Sequence, residues 1–179
     1  MKNIIMDATA IERALKRIAH EIIEKHASVP IYLIGIRTGG VFLAKRLSEY
    51  IRSYGQIPVL NGTLDITLYR DDVAMRTGRA IVKATEIKFP VGESYIVLVD
   101  DVLFTGRTIR AAMDAVIDLG RPQVIQLAVL IDRGHRELPI KADYIGKNVP
   151  TSADDQIKVV LRESGSSDDA VYLIRKGDL

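Results

Sequence analysis

The amino-acid sequence predicts an α/β fold, a doubly wound parallel sheet with a small hood, built as one domain over residues 1–179. Two observations carry this. Apolar runs at 31–36, 96–99 and 124–131 are short and rich in β-branched residues, as strands buried on both faces are. The first two run directly into glycine-bearing loops and then into apolar residues at helical spacing, so strand, loop and helix repeat as a unit.

Composition narrows the class. The 179 residues suffice for one domain with a substantial core. Hydrophobic residues are 47% and charged residues 27%, a globular soluble composition. Against 25 Lys and Arg stand 23 Asp and Glu, and the net charge of +2 is too small to argue for nucleic acid by itself. With no cysteine, disulfides and thiolate chemistry are excluded. His20, His26 and His135 show no metal-ligand spacing. Neither G-x-x-x-x-G-K-[ST] nor G-x-G-x-x-G occurs. Signal peptide and long apolar span are both missing, so the expected location is the cytoplasm, away from membranes.

The elements follow in order. Residues 1–6 read as a short edge strand. Thr9 and Glu12 match a capping box, and Ile11, Leu15, Ile18 and Ile22 then make one apolar helix stripe. At about 100° per residue, Arg13, Lys16, Arg17 and His20 project from the opposite side. The strand at 31–36 ends in Gly35-Ile36-Arg37-Thr38-Gly39-Gly40, with Val41, Leu43, Ala44 and Leu47 on a following helix. Ligands gather at such strand ends, which makes this loop a candidate anion site. Residues 60–69 read as strand, and 73–90 as an irregular charged loop able to close over a site. Helix 108–119 stops at Gly120, with Pro122 beyond. Residues 124–131 and 143–149 are strands, and 158–162 with 171–174 form a closing hairpin around the turn 164–169.

The stretch 96–113, IVLVDDVLFTGRTIRAAM, organises the chemistry. Its strand is followed at once by Asp100 and Asp101, and then by a loop of hydroxyls and glycine that opens a helix. Gly106 lets backbone N–H groups approach an anion, Thr105 and Thr108 donate hydroxyl hydrogen bonds, and the helix start favours phosphate. The two acids are acceptors, suited to ribose hydroxyls, a magnesium shell or a positive charge developing on a sugar ring. Together they are the halves of a sugar-phosphate site.

As it stands here, VLVDDVLFTGRT resembles the phosphoribosyl pyrophosphate (PRPP) motif of type I phosphoribosyltransferases. RIAHEIIE (17–24), DITLYRDD (65–72), VDDVLFTGRTIRAAMDA (99–115), LGRP (119–122) and DRGHRELPIKADYIGKNVPTS (132–152) occur together and in order. That set is similar to the PyrR family, pyrimidine operon attenuation regulators that are also uracil phosphoribosyltransferases. The resemblance runs from Asp7 to about Ser152. It implies that uracil and PRPP give UMP and pyrophosphate with Mg2+ as cofactor. Asp100, Asp101 and Arg70 would carry catalysis, the two acids also meeting the metal through water. PRPP and UMP would be bound by Thr38, Gly39, Asp101, Val102, Leu103, Phe104, Thr105, Gly106, Arg107, Thr108 and Arg133, with 132–138 covering the base. Where the family reads G-I-x-x-R-G, this chain has Gly39 in place of the arginine.

The resemblance also implies a homodimer or higher homo-oligomer whose basic concave face binds a leader-RNA hairpin of the pyr operon, strengthened by the uridine nucleotides UMP and UTP. Lys16, Arg17, His20, Arg136 and Lys141 are the candidate contacts. A uracil phosphoribosyltransferase without RNA regulation is the alternative, and a purine phosphoribosyltransferase is a third reading that the 132–152 sequence disfavours.

Overall fold

A computed structural model describes residues 3–26, 29–71 and 85–178. Strands and helices alternate as far as β3 and around α3, and four strands close the chain: β1 (Asn3–Asp7), α1 (Ala8–Lys25), β2 (Ile31–Ile36), α2 (Gly39–Gly55), β3 (Val59–Leu64), β4 (Tyr95–Leu103), α3 (Arg107–Leu119), β5 (Val124–Asp132), β6 (Tyr144–Asn148), β7 (Gln156–Val160) and β8 (Ala170–Ile174). Five strands form one parallel sheet in the order β3-β2-β4-β5-β6.

Alternation along the strands divides the core in two. Leu33, Val97, Val99, Ala128 and Leu130 face α1 and α2. Ile34, Ile36, Ile96, Leu98, Leu127 and Val129 face α3. Side chains alternate with period two, so a strand buried on both faces must be apolar at every position, as these runs are. The chain turns outward to β3 after β2 but runs the other way from β4 to β6. The β2 and β4 loops therefore diverge side by side, which is the topological switch point of such a sheet.

The chain ends build the hood. β1, β8 and β7 make an antiparallel sheet in that order. The hood comes against the C-terminal strand edge, where β7 meets β4 and Lys147 Nζ donates to the Ile5 carbonyl at 2.9 Å. Arg46 of α2 clasps it from below, donating to both Glu163 oxygens at 2.7 and 2.6 Å and to Asp169 at 2.5 Å.

Three local expectations are corrected. The α1 cap is Asp7, whose carboxylate accepts from Ala10 N at 2.7 Å, so the helix starts before Thr9 and the Thr9/Glu12 capping box does not form. The strand expected over 60–69 ends at Leu64, because Asp65 accepts from Thr67 N (2.9 Å) and Thr67 Oγ1 (2.5 Å) and turns the chain into the 3-10 turn Thr67–Tyr69. Strand β4 continues through Asp100 and Asp101 to Leu103 rather than stopping before them. Of the expected closing loop 73–90, residues 73–84 lie outside the described ones. The rest is anchored, with Glu86 bridged to Thr63 of β3 and Phe89 buried.

Candidate active site

The site assembles at the switch point. β2 delivers Arg37, Thr38 and Gly39, joined through a cis peptide between Arg37 and Thr38, to the N-terminus of α2. Thr38 is the α2 N-cap and makes no side-chain cap bond, so its side chain does not occupy the first-turn N–H groups. Neighbouring β4 delivers Asp100 and Asp101. A cavity of about 480 Å3 lies between the two, bordered by Thr38, Gly39, Asp65, Thr67, Asp101 and Thr108. A second cavity of about 300 Å3 follows 102–109 around the α3 start. Arg70, Val102 and Thr108 border both, so the two form one continuous groove.

The α3 end of the groove is shaped for an anion. Gly106, with φ of +93°, is the α3 N-cap and makes no side-chain cap bond. Its left-handed backbone suits glycine, and a Cβ there would press on Ile140 at 3.3 Å. The loop is braced from behind, since Glu137 N and Leu138 N donate to the Thr105 carbonyl at 2.9 and 3.2 Å. Arg107 spans the rim, donating to Asp71 and to Glu137 at 2.6 Å each.

Asp100 and Asp101 sit at the other end. Asp100 is buried and accepts from Asp101 N at 3.0 Å. Burial, reinforced by the adjacent Asp101 carboxylate, pushes the Asp100 carboxyl well above the usual range. Burial raises Asp101 as well, against hydrogen bonds that partly hold it down. Burial thus opposes the charge on both carboxyls, which a cation in the groove would favour. Gly39 faces it closely, for a Cβ at that position would lie 2.4 Å from Asp101 Oδ2. The glycine that replaces the expected arginine leaves room for this carboxylate beside the loop.

Among the described residues, no group of three or more His, Cys, Asp or Glu could hold a metal ion. Two carboxylates with raised proton affinity suit a hydrated Mg2+ that keeps most of its waters and takes its remaining ligands from substrate phosphates.

The structure gathers Thr38, Gly39, Arg70, Asp100, Asp101 and 102–108 around one groove. Arg133 takes a supporting place. It is buried, its guanidinium lies 4.0 Å from the centre of the Phe104 ring, and it donates to Thr151 Oγ1 and the Ser152 carbonyl. Arg37, next to the glycine loop, also borders the groove, as do Asp65 and Thr67, to which sequence reasoning gave no role there. Asp65 stood inside the quoted DITLYRDD motif, which was the available signal. Arg70 follows a turn tied to α3 at two points, by Arg110 to the Tyr69 carbonyl and by the Tyr69 hydroxyl to Asp118.

The five candidate RNA contacts each have their own local setting. Lys16 pairs with Glu12 at 2.6 Å and His20 stacks on Tyr54, both on the α1–α2 layer. Arg17 is held by Glu21 and by the Ile145 and Gly146 carbonyls of β6. Arg136 sits in the loop braced against the α3 start, where it donates to Asp132 and to the carbonyls of Phe104, Gly134 and Ile140. Lys141 is exposed farther along the same connection.

Comparison with known proteins agrees with this geometry. Residues 2–161 match the family described as the phosphoribosyl transferase domain. The chain is 54% identical over 170 residues to the bifunctional protein PyrR of Bacillus pumilus, covering 93% of this chain and 94% of that protein. It is 58% identical over 160 residues to that of Acetivibrio thermocellus, covering 89% and 87%. In fold it is similar to a hypoxanthine-guanine phosphoribosyltransferase of Bacillus anthracis, with TM-score 0.74, 16% identity and coverage of 97% and 98%. A hypoxanthine phosphoribosyltransferase of Trypanosoma cruzi matches with TM-score 0.72 at 17% identity, covering 97% and 96%. The two-loop groove, the family match across most of the length and the close relatives lead to one conclusion: the chain belongs to the phosphoribosyltransferase family, among the bifunctional PyrR proteins.

Proposed function

We propose that this chain transfers the phosphoribosyl group of PRPP to uracil, giving UMP and pyrophosphate, and binds pyr leader RNA as a uridine-nucleotide-dependent attenuator. The observation that carries the enzymatic part is the placement of two adjacent carboxylates between two helix-start anion loops within one groove. The name of the close relatives, bifunctional protein PyrR, supports the pairing of two activities. The whole chain acts as one phosphoribosyltransferase unit, as a homodimer or higher homo-oligomer.

In this reading the 5′-phosphate sits on the N–H groups and hydroxyls of 105–108, and Arg107 turns from Asp71 and Glu137 toward it. The diphosphate lies on the amides after Thr38, with Arg70 closing from the side. Displacement at the sugar C1 gathers positive charge on the ring, and the ionised Asp100 and Asp101 stabilise that charge and hold the ribose hydroxyls. Asp100 and Asp101 would hold Mg2+ through water, and the ion would supply charge to neutralise the leaving diphosphate. Phe104, backed by Arg133, supplies an apolar ring beside the base. No side-chain nucleophile takes part, so positioning and electrostatics carry the rate.

The test is UMP synthesis from PRPP with uracil, hypoxanthine and guanine in competition. Uracil should dominate. Preferential use of a purine would replace this reading with the purine one. For the regulatory half, the test is a gel shift with leader RNA against a scrambled hairpin at physiological salt, with and without UMP. Equal binding of the two RNAs would leave an enzyme only.

A further inference from the structure

Residues 69–71 leave the 3-10 turn Thr67–Tyr69 and are held by three side chains of α3. Arg110 Nη2 donates to the Tyr69 carbonyl at 3.1 Å, and the Tyr69 hydroxyl donates to Asp118 Oδ2 at 2.7 Å. Arg107 Nη1 donates to Asp71 Oδ2 at 2.6 Å. Arg70 stands between the two held residues, with an extended backbone of φ −75° and ψ 134°. Neighbouring side chains on extended backbone point to opposite sides. Tyr69 and Asp71 thus turn to α3, and Arg70 turns to the groove, where it borders both cavities.

The two ends of this arm are held differently. The Asp71 end depends on Arg107, which in the reading above turns to the 5′-phosphate, so substrate undoes that tie. The Tyr69 end depends on Arg110 and Asp118, about one and three turns farther along α3, and neither borders a cavity of the groove. Substrate has no means of displacing them. The Asp118 carboxylate raises the proton affinity of the Tyr69 hydroxyl, which keeps it a donor. Tyr69 also packs on the core layer beneath α3. Arg110 is set by Asp114 at 3.1 Å, and its Nε is buried with no acceptor among the described residues. An unmet buried donor is uncommon and destabilising. Stability alone would favour an apolar side chain of similar reach over this arginine.

We propose that Tyr69 is the fixed pivot of the Arg70 arm, seated by Arg110 and Asp118 as positioning residues. Entry of the 5′-phosphate frees Asp71, Tyr69 stays in place, and Arg70 swings about it onto the diphosphate. The inference rests on the phosphoribosyl-transfer reading above. It adds three residues outside the groove and an order, with the 5′-phosphate engaged before the diphosphate is clamped.

The test measures two ligands on the full chain by calorimetry: inorganic diphosphate with Mg2+, which Arg70 meets, and ribose 5-phosphate, which it does not. The proteins are wild type, Arg70→Gln, Tyr69→Phe, Arg110→Met, Asp118→Asn and the double variant Tyr69→Phe/Arg70→Gln. Tyr69→Phe and Arg110→Met should each weaken diphosphate binding by about three- to tenfold, the loss of one hydrogen bond. Both should bind ribose 5-phosphate within about twofold of wild type, since 105–108 is untouched. Asp118→Asn should stay within about twofold for both ligands, because its amide oxygen still accepts from the hydroxyl. Arg110→Met should melt close to wild type, as it also removes the unmet donor. In the Arg70→Gln background Tyr69→Phe should cost nothing further, because a pivot without its arm has no effect on the ligand. If Arg70→Gln weakens diphosphate binding but Tyr69→Phe and Arg110→Met do not, the pivot is overturned and the role of Arg70 stands. An equal loss for both ligands, or a full further loss in the double variant, would mean general distortion and would overturn it too. Unchanged diphosphate binding in Arg70→Gln would remove the assigned role of Arg70, and this inference with it.

Discussion

Replacing Asp100 with asparagine separates what this residue costs the free protein from what it does in the site. Its carboxyl is buried, beside a second acid, and accepts one backbone N–H. Asparagine is nearly isosteric and keeps an oxygen for that N–H, so the main change is removal of a charge. The folded protein raises the Asp100 pKa above its unfolded value near 3.8. The proton-bound form is therefore favoured on folding. Stability from this group is fully present below the unfolded pKa and is lost as pH rises through the folded one. Each tenfold gain in proton affinity on folding corresponds to about 1.4 kcal/mol lost at higher pH. In a domain of this size that is a melting shift of about 3 to 6 °C. Asp100→Asn should accordingly melt higher than wild type at pH 8, and the two should converge near pH 4. The same variant should lose most of its UMP synthesis. Binding of Mg2+ with PRPP to wild type should release a proton, seen by calorimetry as a heat that varies with the buffer's ionisation enthalpy, and Asp100→Asn should reduce this release. Thermal scans of the free proteins across pH decide the stability part without any substrate. A variant less stable than wild type at pH 8 would refute the claim that burial opposes this charge.

Further outcomes follow from neighbouring contacts. Asp101→Asn should lower kcat by about a hundredfold or more while the protein stays folded, since it removes charge facing the developing cation; near-normal turnover would exclude that role. In Gly40→Ala the new Cβ would meet the Val99 carbonyl oxygen at 2.1 Å, so α2 must lift from β4. Chemical denaturation should show a loss of about 1 to 3 kcal/mol, and an unchanged midpoint would mean the helix seat is looser than described. Arg46 holds the Glu163 and Asp169 carboxyls below their ordinary range, so its contribution is present above about pH 4.5 and is lost as pH falls through their lowered folded values. Arg46→Met should therefore cost about 1 to 3 kcal/mol at pH 7, the lower end reflecting partial exposure, with the difference from wild type shrinking toward acid. A difference that stays constant with pH would assign the loss to packing.

The sequence by itself determined the layered α/β architecture and the chemistry of the central motif. Both are local. Strands buried on two faces must be apolar at every position, so 31–36, 96–99 and 124–131 announce themselves. A loop that cradles an anion at a helix start needs glycine and hydroxyls at fixed offsets, so 105–108 does too. The hairpin near the C-terminus was legible too, displaced by only a few residues. The cap of α1 and the end of β3 were not, because each turns on one aspartate, Asp7 or Asp65, whose side chain outcompetes the plausible alternative for a backbone N–H.

Only the tertiary structure decided which distant residues share a surface. The loop after β2 and the acids of β4 are some sixty residues apart in the chain and become neighbours because those strands pair. The same packing takes Arg133 behind Phe104 and commits Arg136 to its own loop. It also brings Tyr50 and Tyr54 beneath Lys16 and His20, a juxtaposition with no trace in local periodicity. Charge on a helical face can be read from spacing. What that face stands against depends on how a second helix is seated, and the seating is set by close contacts such as Gly40 on the Val99 carbonyl, which no count of residues along one helix contains.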